Sequence, residues 1–247
     1  MSKQGTIIVT GASRGIGAAI AIALAEQGFN VACLSRRGEL PAVPDASEAA
    51  KARCTAFSCD VTKGDSLRSA FEQVAKSGPV IGLVNNAGVH LEGPSATFAL
   101  EDFDTVFSTN STSVFMACQQ IYPHLVAAGG GLIVNIGSFF DKMGVKRNLA
   151  YCASKAAVGA MTRCLAVEWA GKGIRVIDVA PGYIMTDLNK EAMAAGPLRE
   201  YLDKRIPGRQ PGASEDVAKL VKALYAADIP FLSGETIYID GAQGIAH

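Results

Sequence analysis

Short apolar runs interleaved with longer helical stretches constrain this chain more than any other feature. The runs are Thr6–Thr10, Asn30–Ser35, Cys54–Ser58, Val80–Asn85, Gly131–Ser138, Ile174–Ala180 and Thr236–Asp240. Their cores, such as IIVT, GLVNN, LIVNI and IRVIDV, do not alternate apolar with polar, which is how strands covered on both faces read. Helical patterns lie between them at Gly15–Gln27, Asp65–Ser77, Glu101–Ala128, Tyr151–Gly171 and Ser214–Ala227. Strand–helix–strand repetition implies parallel pairing through right-handed crossovers. The expected architecture is one α/β domain over residues 1–247, a doubly wound seven-stranded parallel sheet with helices on both faces.

The composition fits. The 247 residues carry 23 Lys plus Arg against 23 Asp plus Glu, and 49% are hydrophobic. Zero net charge speaks against a nucleic-acid binder, and the hydrophobicity against disorder. A chain of this length can bury about 70–75% of its unfolded surface, so it needs no staples. Cys33, Cys54, Cys59, Cys118, Cys152 and Cys164 form no C-x-x-C pair and lack His at metal-ligand spacing, so we expect buried, reduced thiols and no metal. No apolar run reaches the ~18 residues of a membrane span. The start, MSKQGTIIVTG, has no leader pattern, and a cytoplasmic location is expected. Asn110-Ser111-Thr112 reads as a glycosylation sequon by chance. Residues 189–209 mix helix formers with Gly196, Pro197, Pro207 and Gly208; they read equally as a substrate lid or a surface helical excursion.

Thr10-Gly11-Ala12-Ser13-Arg14-Gly15-Ile16-Gly17 joins the first strand to the first helix. Glycines there permit a tight turn and close approach of a pyrophosphate, which the helix N-terminus attracts. The end of the second strand discriminates cofactors: an acid favours NAD, an Arg the 2′-phosphate of NADP. Here it reads Leu34-Ser35-Arg36-Arg37, and Arg14 can reach the same place, so NADP is expected.

Tyr151 and Lys155 are four apart on a helix and share a face. A free Tyr titrates near pH 10; a neighbouring ammonium lowers that value, so the phenol is expected to act as acid or base near neutrality. An oxidised nicotinamide ring would add to the effect. Ser138, 13 residues earlier, ends the fifth strand and faces the crevice where parallel sheets bind ligands. Its hydroxyl could hold a carbonyl oxygen and stabilise developing alkoxide. Asn85-Asn86-Ala87-Gly88 ends the fourth strand at the same edge. Asn110 lies mid-helix, as either a tolerated surface residue or a functional kink.

With these motifs in this order, and with Pro181-Gly182, the sequence resembles the short-chain dehydrogenase/reductases over essentially its whole length. The resemblance implies a Rossmann fold and an Asn110–Ser138–Tyr151–Lys155 catalytic set: Ser138 positions the substrate oxygen, Tyr151 is the acid/base, Lys155 also bonds the nicotinamide ribose, and Asn110 holds a relay water. It implies that Asp60 and Val61 flank the adenine. Asn86, Ala87 and Gly88 would line the adenosine ribose side, and Ile184 and Thr186 would hold the carboxamide. It also implies a homotetramer or homodimer built partly on the two long helices. The chain departs from the family after the active Ser, with Phe139-Phe140-Asp141-Lys142, and has Arg175-Val176-Ile177 and Asp240-Gly241-Ala242 where R-V-N and D-G-G are frequent.

The similar 3-oxoacyl-carrier-protein reductases need basic residues for an acidic partner. Residues 126–130 carry no charge here, and Lys172 is the one remnant. Phe139, Phe140, Met143, Met185 and Leu188 read as an apolar pocket, or equally as core and interface packing. The expected function is therefore NADP-dependent interconversion of a small or medium ketone and its secondary alcohol. Carrier-protein reduction is the alternative, and a silent NADPH-binding scaffold or sensor the third reading.

Overall fold

The computed structural model describes residues 5–186 and 189–246. The elements run β1 (Thr6–Thr10), α1 (Gly15–Glu26), β2 (Asn30–Ser35), α2 (Glu48–Lys51), β3 (Cys54–Ser58), α3 (Gly64–Ala75), β4 (Val80–Asn85) and α4 (Leu100–Phe107). Then follow α5 (Ser113–Ala127), β5 (Gly131–Ile136), α6 (Leu149–Trp169), β6 (Ile174–Pro181), β7 (Ile184–Met185), α7 (Lys190–Ala194), α8 (Pro197–Arg205), β8 (Gly212–Ala213), α9 (Ser214–Ala227) and β9 (Thr236–Ile239). The seven long strands form one sheet, ordered β3-β2-β1-β4-β5-β6-β9, with every pair parallel. The architecture is the expected doubly wound Rossmann sheet.

Each sheet face carries its own core. On one, α1 and α9 cover Ile7, Val9, Val84, Val134 and Val179. On the other, α3, α5 and α6 cover Ile8, Leu83, Ile133 and Val176. Residues one apart thus belong to opposite cores, which is why the strands show no polar alternation. Alanines at 18, 19, 21 and 25 let α1 lie close to the sheet and to α9.

The differences from the sequence reading are local. The fifth strand stops at Ile136, not Ser138, because the Ser138 hydroxyl accepts from the Phe140 amide at 3.3 Å and opens a 3₁₀ turn over Phe139–Lys142. The expected helix 101–128 is interrupted by a π turn at Ser108–Thr112. The short α2 was not expected; Ser47 caps it by accepting from the Ala50 amide at 3.2 Å. Residues 189–209 hold α7 and α8, packed through Met193, Leu202 and Ile206 against Tyr183 and Met185. The β7–β8 pair ties the base of this excursion to the start of α9. Four cysteines are buried, but Cys152 is half-buried and Cys164 exposed, because α6 turns part of its surface outward. Asn110 is buried, so the sequon is inaccessible. No helix among the described residues is long and apolar enough to cross a membrane, and none of their His, Cys, Asp and Glu cluster as a metal site.

Gly82 shows how closely the first core is packed. The Tyr225 hydroxyl lies 3.1 Å from Leu83 O and 2.9 Å from Leu132 O, and a Cβ on Gly82 would stand 2.5 Å from the ring. Gly82→Ala is expected to cost about 2 kcal/mol by overpacking. A thermal melt should show this as a fall of about 5 °C at this chain length.

Candidate active site

The carboxyl ends of β1, β2, β4, β5 and β6 meet at one edge of the sheet, and the site is built there. At β1 the turn to α1 places Gly11 and Gly15 at φ +65° and +55°. A Cβ on Gly17 would lie 2.3 Å from both Gly11 O and Asn86 Nδ2. The turn is locked to β4 by hydrogen bonds. Asn86 Nδ2 donates to Thr10 O (3.0 Å) and Gly11 O (3.1 Å), and Thr10 Oγ1 accepts from the amides of Asn86 (3.0 Å) and Ala87 (3.1 Å). The Asn86 amide group, expected at the adenosine ribose, therefore holds the turn itself. Gly88 abuts Asn110, 3.3 Å from its Oδ1 to an added Cβ.

The first turn of α1 has no capping side-chain hydrogen bond and no acidic residue. Its amides and positive dipole end stay available for an anion, which fits a pyrophosphate. Arg14 is the N-cap and is exposed; Ser13 and Ile16 are half-buried beside it. Thr186 comes within 3.7 Å of a Cβ built on Gly15, so the segment after Pro181-Gly182 closes over the helix start, with Ile184 buried beneath.

At β2, the Ser35 hydroxyl accepts from the Glu39 amide at 3.0 Å, and Arg37 pairs with Glu39 at 2.9 Å. Arg36 is exposed and forms no ion pair among the described residues; its charge helps hold the Asp60 carboxyl low. The larger cause of that depression is Thr62, whose hydroxyl (2.7 Å) and amide (3.0 Å) donate to Asp60 Oδ1. Asp60 and Val61 thus sit just past β3, next to Arg36.

Asn110 falls inside the π turn and is buried. Its Oδ1 accepts from the Val89 amide at 2.8 Å, and its Nδ2 donates to Val89 O (2.9 Å) and Ser154 Oγ (3.2 Å). Ser154 Oγ in turn donates to Tyr151 O at 2.8 Å. Of the two readings left open for this residue, the structure shows the kink. The extra residue of the π turn aims Asn110 inward, a frequent use of such bulges.

Lys155 is buried and donates from Nζ to Ile136 O at 2.7 Å; the Tyr151 ring centroid is 5.7 Å away. Burial pushes Lys155 down to about 8. The Tyr151 phenol, expected low, is pushed up, because burial outweighs its hydrogen bond with Ser138.

Tyr151 is flanked by His90, at 4.7 Å between rings, and by the edge of Phe140 at 6.0 Å. Phe139 and Phe140 are buried and meet Tyr183 edge to face at 5.5 and 6.0 Å, forming the wall behind the phenol. Met143 is half-buried just past the 3₁₀ turn, Met185 belongs to the α7–α8 cluster, and Leu188 lies outside the described residues.

Sequence reasoning missed His90, Asn148, Tyr183 and Asp178. His90 Nε2 bonds Asn148 Oδ1, and Asn148 Nδ2 donates to Lys146 O at 2.9 Å. That amide orientation makes Nε2 the protonated ring nitrogen. Only position could have signalled the pair: His90 lies two residues after Asn85–Gly88, and Asn148 three before Tyr151.

The family described as short chain dehydrogenase matches residues 5–196. The chain belongs to that family. As a short-chain dehydrogenase it is an oxidoreductase of alcohol- and ketone-type substrates that uses a nicotinamide cofactor. It is similar to 3beta-hydroxysteroid dehydrogenase 1 of Eggerthella lenta, 35% identical over 98% of this chain and 94% of that one. It is also similar to a 3-oxoacyl-[acyl-carrier-protein] reductase of Staphylococcus epidermidis, 33% identical over 96% and 97%. Among solved structures, it resembles an Agrobacterium tumefaciens chain assigned by name to 2-deoxy-D-gluconate 3-dehydrogenase and holding NADP. That TM-score is 0.85 at 33% identity, over 98% of this chain and 97% of that one.

Asn86→Ala removes two bonds that hold the turn. It should destabilise this short-chain dehydrogenase by about 1–3 kcal/mol and weaken nicotinamide-nucleotide binding on the order of tenfold. Thermal melts and fluorescence titration check both.

Proposed function

We propose that the chain is an NADP-dependent oxidoreductase that interconverts a ketone and its secondary alcohol. The observation that carries the cofactor choice is Arg36, exposed at the end of β2 without an ion pair among the described residues, while Arg37 is engaged by Glu39. The 2′-phosphate would lie between Arg36, Arg14 and Ser35, and the pyrophosphate over Gly15–Gly17. When bound, the cofactor supplies or accepts the hydride.

The chain's own residues then handle the oxygen and its proton. Ser138 Oγ, beside the Tyr151 phenol, hydrogen-bonds the substrate oxygen. Tyr151 donates its proton to that oxygen in reduction and accepts it in oxidation. Burial raises the phenol, and the Lys155 ammonium, anchored at Ile136 O and 5.7 Å from the Tyr151 ring centroid, is the cation placed to favour the phenolate against it. Asn110, joined to Ser154 and through it to Tyr151 O, fixes the start of α6 and is the residue the resemblance assigns to a relay water.

The substrate surface favours an apolar ketone with one polar group. Phe140, Tyr183 and Met185 provide apolar wall, and His90 with Asn148 the polar contact beside Tyr151. Carrier-protein reduction is the second reading, kept because of the Staphylococcus relative; the uncharged residues 126–130 weigh against it. Exposed Phe115 on α5 and exposed Leu149 and Val167 on α6 support self-association through the long helices.

Three measurements test this reading. NADPH oxidation against ketones of graded polarity should proceed, with Tyr151→Phe reducing kcat by about 10²–10⁴-fold; undiminished turnover in that variant would refute the acid/base role. Arg36→Ala should raise the NADPH Kd by about 10–100-fold and leave NADH unchanged, the expected worth of a charge-assisted hydrogen bond. Analytical ultracentrifugation should give the mass of two or four chains, and Val167→Lys should lower it.

A further inference from the structure

Asn85, Asn135, Asp178 and Thr236 occupy one register row across β4, β5, β6 and β9. Their side chains lie on the sheet face covered by α5 and α6. Asn85 Nδ2 donates to Asn135 Oδ1 at 2.9 Å and lies 3.5 Å from Cys118 Sγ of α5. Asn135 Nδ2 donates to Thr162 Oγ1 of α6 at 2.9 Å. This half of the row is neutral and satisfied.

Asp178 is different. It is 0% exposed and carries a carboxylate where its neighbours carry amides. Oδ2 accepts from Thr236 Oγ1 at 3.2 Å, whereas Oδ1 has no hydrogen-bond partner among the described residues. A buried carboxylate held by one side-chain hydrogen bond is costly. The surroundings are shaped around it: a Cβ on Gly137 would lie 2.5 Å from Oδ1, so only glycine fits there. A Cβ on Gly159 would lie 3.9 Å from Oδ2. Nothing in the proton transfer described above uses this group.

What faces Asp178 explains it. From α6 come the Lys155 ammonium and, across Gly159, the Arg163 guanidinium. From the 3₁₀ turn after β5 comes Asp141, which already accepts from the Tyr238 hydroxyl of β9 at 2.9 and 3.0 Å. From β9 comes Thr236, and from the residue just past β5 the Gly137 backbone. Lys155 Nζ is fixed to Ile136 O, and the next residue, Gly137, packs on Asp178. Ammonium and carboxylate therefore lie against two adjacent residues, Ile136 at the end of β5 and Gly137 just past it.

We propose that Asp178 is a positioning residue for the reaction, the buried counter-charge that keeps the Lys155 ammonium charged beside Tyr151. The proposal rests on the reading of Tyr151 and Lys155 as the catalytic pair. Burial lowers Lys155 to about 8, and the charge opposing that fall is Asp178. Burial raises Asp178 to about 6, and among the groups opposing that rise Lys155 is the largest. Between those values both are ionised and each supports the other. Below about 6 the carboxyl gains a proton and the support weakens; above about 8 the ammonium is lost, and with it the influence that favours the phenolate.

The test follows the Lys155 Cε resonance in the full chain labelled with ¹³Cε-lysine, assigned by its disappearance in Lys155→Arg. Asp178→Asn keeps the shape and removes the charge. The Lys155 titration midpoint should fall by on the order of one pH unit. The alkaline edge of kcat/KM for alcohol oxidation should move down by the same amount, while a structural role alone would lower the profile without moving its edge. Should Asp178→Asn fold poorly, the smaller Asp178→Ser is expected to shift the midpoint equally. A midpoint unmoved in whichever variant folds overturns the proposal. Because the titration needs no turnover, it stands apart from the ketone panel: a chain inactive on every ketone refutes the functional reading and leaves the Lys155 midpoint still measurable.

Discussion

The sheet is parallel and covered on both faces, and everything else in the molecule follows from that constraint. Parallel strands cannot be joined by hairpins, so each connection crosses over a face and returns the chain to the same end. Every strand's carboxyl terminus is thereby delivered to one edge. Thr10, Ser35, Asn85, Ile136 and Pro181 sit at or near that edge although they span 171 residues of sequence. The glycine turn, the exposed Arg36 and the Tyr151–Lys155 pair are thus gathered by the sheet itself.

Polar groups at that edge are held by one another. Asn86 and Thr10 fasten the glycine turn to β4. Asn110 fastens the chain after β4 to the start of α6. Lys155 fastens α6 to the end of β5. Each link joins elements distant in sequence with a side chain whose alternative is an unsatisfied buried donor or acceptor. Positioning of the phenol comes from these links, whereas the α7–α8 excursion is held by a small core of its own, Met193, Leu202 and Ile206.

Much of this was legible in the sequence, for physical reasons that can be named. Continuous apolar runs such as IIVT locate strands buried on both faces, and Ser214–Ala227 was read to its observed bounds because its apolar period is unbroken. The break in 101–128 was harder to place: a π turn adds one residue without altering composition, and only Asn110's poor helix propensity hinted at it. Ser138 was assigned to the strand because its role as a 3₁₀ cap depends on where the Phe140 amide points. Tyr151 was expected to be acidic from its spacing to Lys155, since spacing carries proximity but not burial.

The sequence by itself therefore determined the fold and the glycine turn, and it singled out Ser138, Tyr151 and Lys155 as candidates, because these rest on local pattern and fixed spacing. The tertiary structure alone decided which charges are free and which are engaged. Arg37 is taken by Glu39 and Arg36 is not; His90 meets Asn148 across 58 residues; Asp178 packs on Gly137, just past β5, where the Lys155 charge acts on it. Such choices depend on distances and desolvation between segments remote in the chain, and a linear pattern does not contain them.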